Sequence, residues 1–396
     1  MTRDELHILY EEETRCSVEQ NIERTHIDVA LDKSICNSRL VATQVKYLQR
    51  AKVKLPSYFK AGCIMTQMAF EQSSSEVTAR QKVEMGVGGE SLLDLTCGLG
   101  VESFVLSKVF DRVVAIECDE VVCDMARENF RRLSANNIEV YCAKAEEFVG
   151  DCRERFDWVV IDPDRRGKDG GKRVVLEECS PNLLSMMDDI KRVARRMVVK
   201  LSPIFDCDEA MRLFPGSTVE VISVGGECKE VVVYVDFDSD GEGDVVATMV
   251  GVGSVSGSST KTLGDIAYYQ CTEQLSYLII PDVSLQKSRL ATAVMGELAA
   301  IDSDNCYAFS TEEQMESFIL ERHLGRVERI EAILDYEPKQ IRKELSSRGI
   351  KRATILKRGF RYSTEQIKRQ LKIEEGGVMK LAFTMLNGRD IMVILK

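Results

Sequence analysis

The sequence predicts an α/β fold: a mostly parallel sheet with helices on its faces, preceded by a helical region and followed by a small α+β domain. Between residues 91 and 237, short apolar runs alternate with segments of helical periodicity, which is typical of βα units and therefore of parallel strands. In residues 1–85, apolar residues recur at helical spacing, as at 22–31 and 41–48. The 396 residues, 44% of them hydrophobic, suffice for two or three packed domains.

The predicted sheet begins with five apolar runs that we interpret as parallel strands, at 92–95, 113–116, 138–141, 158–161 and 197–201. Two further runs, at 219–224 and 231–237, flank a segment that contains Gly225 and Gly226, and this arrangement is typical of an antiparallel hairpin. The pattern predicts a mostly parallel, seven-stranded, Rossmann-like sheet whose last strand is antiparallel.

Domain boundaries are predicted where composition and periodicity change. Residues 1–85 form a helical N-terminal domain, and residues 86–240 form the Rossmann-like domain. Residues 241–276 are rich in Gly, Ser and Asp and are interpreted as a linker or crossover with one short strand near 245–250. Residues 277–396 are predicted to be an α+β domain with helices at 288–300, 311–318, 338–346 and 363–371 and a final strand pair at 380–386 and 390–395.

The sequence gives no sign of a leader peptide or a membrane span. Residues 1–13 are acidic and contain no apolar stretch, and no segment approaches the roughly 20 apolar residues that a membrane-spanning helix needs. The thirteen cysteines are scattered without the CxxC pairs of a structural metal site. We therefore expect a cytoplasmic protein with reduced thiols, without a metal and without a membrane partner.

The charge is unevenly distributed. The chain carries a net charge of −11, which argues against a uniformly basic nucleic-acid binder. Residues 338–373, however, contain twelve basic and two acidic side chains, and Phe360 and Tyr362 lie among them. Basic side chains next to aromatic ones suit phosphate contacts and stacking on unpaired bases, although a merely solvated face is the alternative. The predicted RNA-binding residues are Lys351, Arg352, Lys357, Arg358, Arg361, Lys368 and Arg369.

The strongest chemical signal is a glycine-containing turn, residues 96–100, after the first strand. Glycines there let the backbone approach a ligand closely. Glu117 follows the second strand, where a carboxylate can accept hydrogen bonds from both ribose hydroxyls of an adenosine. A dinucleotide site would need a third glycine where Ser103 stands. The pattern predicts an S-adenosylmethionine site with Asp94, Thr96, Gly98, Gly100, Glu117 and Cys118.

The fourth strand runs into Asp162 and Pro163, which precede Asp164, Arg165 and Arg166. Because ligands bind at the carboxyl ends of strands in a doubly wound sheet, this loop is expected to face the transferred methyl group. It is similar to the Asp-Pro-Pro-aromatic motif of enzymes that methylate amino groups of nucleic-acid bases, with Asp164 and Arg165 in the last two places. The predicted catalytic residues are Asp162, Pro163, Arg165, Lys200 at the end of the fifth strand and Glu230 in the hairpin.

Further cofactor contacts are predicted around these motifs. Ser74 and Ser75 precede the first strand, where hydroxyls often contact the methionine part of the cofactor; a helix cap is the alternative. Asp162 is expected to contact the cofactor as well. Lys144 occupies the loop where an acidic residue commonly meets the adenine, so Ala145 and Glu146 are assigned to that contact.

Several runs together carry a family resemblance: 47–52, 54–56, 71–76, 94–100, Asp162 and Pro163 with Arg165 and Arg166, and 227–230. These runs resemble a bacterial family of class I S-adenosylmethionine-dependent methyltransferases that carry a C-terminal THUMP-like domain. The resemblance covers essentially the whole chain. It implies an RNA substrate, tRNA or rRNA, because THUMP domains are RNA-binding modules, and it implies S-adenosylhomocysteine as the cofactor product.

The residues leave several reactions open. Carbon-5 methylation of a pyrimidine requires a nucleophilic cysteine, and the loops at 162–164 and 200–203 contain none. Ribose 2′-O methylation uses a Lys-Asp-Lys-Glu set, for which Asp162 and Lys200 stand in the right order with Glu227 or Glu230 and with Lys54 or Lys60. Methylation of a base nitrogen is the favoured hypothesis. The sequence is also compatible with a small-molecule methyltransferase and with a non-catalytic RNA-binding protein that retains the fold.

Overall fold

The computed structural model describes residues 1–163, 176–239, 241–258, 275–291, 294, 300, 301, 307–311, 324–386 and 388–396. The chain forms two compact units. The first contains Met1–Ser217 and Glu230–Gly241, and the second contains Thr218–Lys229 and Glu242–Lys396.

The N-terminal part of the first unit is helical, as predicted. Its helices are α1 (Arg3–Tyr10), α2 (Glu12–Gln20), α3 (His26–Leu31), α4 (Ser38–Lys54), α5 (Pro56–Lys60), α6 (Gln67–Gln72) and α7 (Glu76–Glu84). Helix α3 is shorter than the predicted helix at 22–31, because the Thr25 hydroxyl accepts a hydrogen bond from the Asp28 amide and so caps its start. Val41, Val45 and Leu48 of α4 belong to the buried core of this region.

A parallel sheet follows in the first unit, as predicted. The elements of residues 89–236 are β1 (Gly89–Asp94), α8 (Val101–Leu106), β2 (Phe110–Glu117), α9 (Glu120–Arg132), β3 (Ile138–Cys142), α10 (Ala145–Asp151), β4 (Phe156–Ile161), α11 (Leu183–Val193), β5 (Ala194–Leu201), α12 (Cys207–Leu213), β6 (Thr218–Val224) and β7 (Glu227–Asp236). Strands β1 to β5 are parallel to their neighbours in the order β3-β2-β1-β4-β5. Strand β7 pairs antiparallel with β5, which confirms the predicted antiparallel last strand. The carboxyl ends of β1, β2, β4 and β5 therefore meet at one edge of the sheet.

The second unit begins with β6, which pairs parallel with β8 (Asp244–Met249); β8 in turn pairs antiparallel with β9 (Gly253–Ser258). The segment predicted as a linker with one short strand thus contains two strands. The prediction was too sparse because β9, Gly-Ser-Val-Ser-Gly-Ser, has the composition of a loop and is held by its ladder with β8. Helix α13 (Val283–Lys287) follows.

The rest of the second unit is a sheet with two helices. Its strands are β10 (Tyr277–Pro281), β11 (Ala300–Ile301), β12 (Ala308–Ser310), β13 (Gly325–Asp335), β14 (Arg352–Lys357), β15 (Glu374–Leu386) and β16 (Arg389–Leu395), in the order β11-β12-β10-β13-β16-β15-β14. Helices α14 (Pro338–Ser347) and α15 (Thr364–Leu371) and the β15–β16 pair confirm the predicted elements. The predicted helix at 311–318 and most of the one at 288–300 lie outside the described residues. In the described part of the chain, no helix combines the length and apolar character needed to cross a membrane.

Candidate active site

The turn between β1 and α8 is built by hydrogen bonds to Asp94. The Thr96 amide donates to Asp94 Oδ1 at 3.0 Å, and the Ser103 hydroxyl donates to Asp94 Oδ2 at 2.6 Å. Gly98 and Gly100 both have positive φ, +53° and +83°. A Cβ atom on Gly100 would collide with the ring of Phe130, whereas a Cβ on Gly98 would meet open space. Asp94 therefore organises the turn, Gly100 permits close packing beneath it, and Gly98 leaves its outer side accessible.

Glu117 ends β2 beside this turn. Its Oε2 accepts a hydrogen bond from the Gly98 amide, and its Oε1 accepts one from the Asp119 amide, both at 2.9 Å. These bonds fix the carboxylate in one orientation but leave acceptor capacity on each oxygen. Cys118 next to it is exposed. The structure thus brings together the predicted residues of the β1 turn and the predicted ribose acceptor.

The loop after β4 is tied to the same turn. The Asp162 amide donates to Thr96 Oγ1 at 2.8 Å, and Pro163 is buried. This bond places Asp162 next to the turn whose Gly98 amide holds Glu117. The placement was predicted because β1 and β4 are adjacent parallel strands whose carboxyl ends meet. Arg165, predicted to be catalytic, lies outside the described residues, as do Asp164 and Arg166.

Charged side chains gather behind Asp162. Lys200, at the end of β5, forms an ion pair with Asp162 Oδ2 and donates to Ser74 Oγ at 2.9 Å. The Ser74 hydroxyl in turn donates to Glu102 Oε1, which lies 3.8 Å from Lys200 Nζ. The Asp162 side chain is 39% exposed and that of Lys200 only 12%, so Asp162 is the accessible end of this arrangement.

The buried end is a second ion pair. Lys82 of α7 is fully buried and its Nζ lies 2.9 Å from Glu230 Oε2 and 3.9 Å from Glu102 Oε1. Lys82 also donates to the Thr78 carbonyl at 3.4 Å. We call the whole set the ionic cluster: Ser74, Lys82, Glu102, Asp162, Lys200 and Glu230. Its three carboxylates and two ammonium groups leave one net negative charge, because Glu102 shares Lys82 and Lys200, at 3.9 and 3.8 Å, with Glu230 and Asp162.

Proton affinities in this region follow from burial and charge. Burial opposes ionisation of Glu230, but the ammonium groups of Lys82 and Lys200 outweigh it and lower the pKa of Glu230 to about 2. For Lys200, burial by itself would lower the pKa of the ammonium group. The carboxylates of Asp162 and Glu102 outweigh burial and raise that pKa well above its ordinary value. Lys200 is therefore held as an ammonium group at neutral pH.

Two further groups near the cluster have shifted pKa values. Burial raises the pKa of Asp94 to about 7, against the opposing hydrogen bonds from Ser103 and Thr96. Burial and then the charge of Lys200 lower the pKa of Lys54 to about 8. Lys54, from α4, donates to the Phe70 carbonyl at 2.6 Å.

The other predicted contacts are placed as follows. Ser75 caps α7, since its hydroxyl accepts a hydrogen bond from the Thr78 amide, as the alternative interpretation anticipated. Ala145 begins α10, and Glu146 Oε1 accepts a hydrogen bond from the Asn182 amide at 3.3 Å. Lys60 is exposed at the end of α5, and Glu227 is exposed and paired with Lys229, so neither is buried in the ionic cluster.

Sequence reasoning missed Lys82 and Glu102. Both lie on helices, α7 and α8, where a charged residue ordinarily faces water. The one local signal was the position of Lys82 one turn after Thr78 on α7, a helix whose buried residues also include Glu76 and Ala79.

The basic residues predicted to bind RNA lie in the second unit. Lys351, Arg352, Arg358, Arg361 and Arg369 are exposed, whereas Lys357 and Lys368 are partly buried. Arg361 lies 2.5 Å from Asp390 Oδ2 and Arg352 lies 3.5 Å from Glu374 Oε2. Phe360 corrects an expectation, because it is 6% exposed and its ring packs 5.6 Å from that of Phe383. Its apolar character serves the core, and it is not available to stack on a base.

Within the described residues, no group of three or more His, Cys, Asp or Glu side chains is arranged to hold a metal ion.

Comparison with known proteins agrees with this architecture. Residues 325–396 match the family model described as THUMP domain-like. A crystal structure of a putative methyltransferase from Porphyromonas gingivalis W83 superposes with a TM-score of 0.79 at 20% identity, covering 100% of this chain and 99% of that one. The predicted class I methyltransferase fold is therefore confirmed, and so is the predicted THUMP-like domain at the C-terminus.

Two sequence relatives cover part of the chain. An uncharacterized S-adenosylmethionine-dependent methyltransferase of Mycobacterium tuberculosis is 31% identical over 171 residues, 43% of this chain and 45% of that protein. The 23S rRNA (uracil(1939)-C(5))-methyltransferase RlmD of Vibrio parahaemolyticus is 29% identical over 199 residues, 45% of this chain and 44% of that protein. The chain thus spans less than half the length of these relatives.

Proposed function

We propose that this protein is an S-adenosylmethionine-dependent methyltransferase that modifies RNA, tRNA or rRNA, at a base nitrogen. The observation that carries the proposal is the hydrogen bond from the Asp162 amide to Thr96 Oγ1. It sets the accessible Asp162 carboxylate beside the turn that holds Glu117. An acceptor carboxylate next to an adenosine site can orient an amino or imino group of a base for methyl transfer.

The groups in and beside the turn fit the cofactor. Glu117, fixed by the Gly98 and Asp119 amides, would hold the ribose hydroxyls, and the open side of Gly98 leaves room for the backbone to approach the ligand. Ala145 and Glu146 are proposed for the adenine. When bound, S-adenosylmethionine supplies a methyl group on a sulfonium. The single net negative charge of the ionic cluster suits a cationic ligand.

The state of Lys200 favours a base nitrogen over a ribose hydroxyl. Methylation of a ribose hydroxyl is assisted by a general base that accepts the proton of that hydroxyl. Burial favours the neutral amine of Lys200, but Asp162 and Glu102 raise its pKa and hold it as an ammonium group, which disfavours that role. Asp162 can accept a hydrogen bond from an amino or imino group and orient its nitrogen.

Carbon-5 methylation, the reaction in the name of the Vibrio parahaemolyticus relative, does not suit this chain. That reaction requires a nucleophilic cysteine near the methyl group. The sequence has none at 162–164 or at 200–203, directly after β4 and at the end of β5, and both Cys179 before α11 and Cys207 at the start of α12 are buried.

An RNA substrate is supported by three features. The THUMP-like match covers residues 325–396, the relatives include proteins named as RNA methyltransferases, and residues 338–373 have a net charge of +10 in a chain of −11. A basic segment on an otherwise acidic protein provides side chains for phosphate contacts.

The experiment is transfer of a tritiated methyl group from S-adenosylmethionine into bulk bacterial tRNA and rRNA, followed by digestion to nucleosides. We expect label on a base nitrogen. Asp162→Asn should lower kcat roughly 100-fold or more. Asp188→Asn, which alters an exposed carboxylate on α11, is the matched control and should leave kcat unchanged. Label on carbon 5 or on a ribose oxygen would refute the assigned atom, and label on small molecules alone would refute the RNA substrate.

A further inference from the structure

Helix α4 carries three basic side chains on one face. Lys46, Arg50 and Lys54 are spaced four residues apart, so they lie in a row with a rise of about 6 Å between neighbours. We call this row the α4 stripe. It belongs to residues 38–72, which contain six basic side chains and one acidic side chain in a chain whose net charge is −11.

The stripe rests on two buried aromatic rings. Arg50 Cζ and Lys54 Nζ lie 4.9 and 4.8 Å from the centre of the Phe70 ring, and Lys46 Nζ lies 5.3 Å from that of Tyr47. The Tyr47 and Phe70 rings pack 5.4 Å apart. Rings beneath the cations fix their positions and stabilise each of them modestly.

The charges of the stripe are poorly compensated. Arg50 lies 3.5 Å from Glu71 Oε1, the one ion pair that the stripe makes with the described part of the chain. Glu71 also accepts a hydrogen bond from Gln67 at 3.4 Å. Two cations within 5 Å of one ring repel each other, and the charge of Arg50 is among the causes that lower the pKa of Lys54. Such an arrangement is stabilised by an anionic ligand.

The stripe leads to the ionic cluster. Lys54 donates to the Phe70 carbonyl, and four residues further on the Ser74 hydroxyl accepts a hydrogen bond from Lys200, which pairs with Asp162. The row of cations therefore ends on the same segment, residues 70–74, that contacts Lys200, the ion-pair partner of Asp162. All of these residues belong to the first unit.

We infer that the α4 stripe is a phosphate-binding surface that holds a single strand of RNA and directs it to Asp162. The inference rests on the proposed function, because the strand it describes is the substrate of that site. The spacing of about 6 Å lets neighbouring side chains bind successive phosphates of an extended strand. An acidic peptide has the same sign of charge, but a polynucleotide also supplies the base that must reach Asp162.

The test uses the full-length protein and a fluorescein-labelled 12-nucleotide single-stranded RNA of mixed sequence, titrated at several KCl concentrations. In the double variant Lys46→Gln/Arg50→Gln, the slope of log affinity against log salt should become smaller by about 1.4, since each lost phosphate contact on a single strand contributes about 0.7. Affinity at low salt should fall about tenfold or more. Arg50→Lys keeps the charge and should restore most of the slope that Arg50→Gln loses.

Arg131→Gln is the matched control, because Arg131 is exposed on α9 and pairs with Glu128 as Arg50 pairs with Glu71. It should change neither slope nor affinity. An unchanged slope in the double variant would overturn the inference. It would also be overturned if the wild-type protein bound a poly-glutamate peptide more tightly than RNA and the double variant lost that peptide binding. Calorimetry with S-adenosylmethionine on the same proteins distinguishes failure of the proposed function from failure of the inference about the α4 stripe. Absence of cofactor binding would refute the proposed function, whereas the salt slope alone tests whether the α4 stripe binds RNA.

Discussion

At the residue scale, Asp94 couples the cofactor turn to pH. Its pKa is about 7 in the folded protein because it is buried, whereas an aspartate in the unfolded chain titrates near 4. Between these values the folded state holds a proton that the unfolded chain releases, so the contribution of Asp94 makes the free energy of unfolding fall as pH rises from about 4 to 7.

Asp94→Asn should remove this contribution. We expect the unfolding free energy of the variant, relative to wild type, to increase by ~3 kcal/mol between pH 4.5 and 7.5. Urea unfolding at the two pH values measures it, with Asp188→Asn as the exposed control. Parallel pH dependences for wild type and Asp94→Asn would show that the carboxyl is not protonated in the folded protein.

Lys82 tests the ionic cluster from its buried end. Lys82→Met leaves Glu230 buried without its closest cation, which typically costs about 3–5 kcal/mol of stability. The double variant Lys82→Met/Glu230→Leu removes both charges and should recover most of the loss. Equal destabilisation of the single and double variants, measured by urea unfolding, would mean that the two side chains are not coupled.

At the scale of elements, the turn from β1 to α8 depends on its second glycine. In Gly100→Ala, a left-handed φ of +83° costs about 1–2 kcal/mol, and the clash with the Phe130 ring adds to it. Gly98→Ala on the same turn meets open space and should cost only the first of these amounts. The difference between the urea midpoints of Gly100→Ala and Gly98→Ala measures how tightly Phe130 of α9 packs beneath the turn. Equal midpoints for the two variants would contradict this packing.

The regular elements of the first unit were predictable because their physical signals are local. Strands β1, β2 and β4 are apolar runs buried on both faces, and a parallel sheet requires such runs. Strands β13 and β14 were missed because charged residues interrupt them, as in Gly-Arg-Val-Glu-Arg-Ile-Glu, and their hydrogen bonds come from distant partners in β15 and β16. Phe360 was assigned to a surface for the same reason, since nothing near it in the sequence shows the core it joins.

The candidate site divides in the same way. Glu117 and Asp162 follow strands, and the topology of a parallel sheet brings strand ends together, so their sequence positions predicted their meeting. Lys82 and Glu102 come from helices α7 and α8, and only the tertiary packing of those helices turns them inward. A buried charge pair leaves no trace in hydrophobic periodicity.

At the scale of the whole molecule, the acidic chain has a strongly basic segment at residues 338–373, which carry a net charge of +10 and belong to the second unit. Lys351→Glu/Arg358→Glu reverses two exposed charges of the predicted RNA-binding set and should raise the KM for RNA at least tenfold with little change in kcat, because these residues contact phosphates and not the reacting atoms. Lys339→Glu, an exposed residue of the same basic segment outside that set, is the control. Steady-state methyl transfer decides the matter, and a fall in kcat at unchanged KM would contradict a binding role.

The central claim is that the turn after β1 and Glu117 hold S-adenosylmethionine, and calorimetric titration of the cofactor tests it most directly. We expect wild type to bind in the micromolar range, about −8 kcal/mol, and Glu117→Ala to lose at least tenfold in affinity, while Glu154→Ala at an exposed position binds as wild type does. Absence of binding by the wild-type protein, or equal binding by Glu117→Ala, would contradict the account.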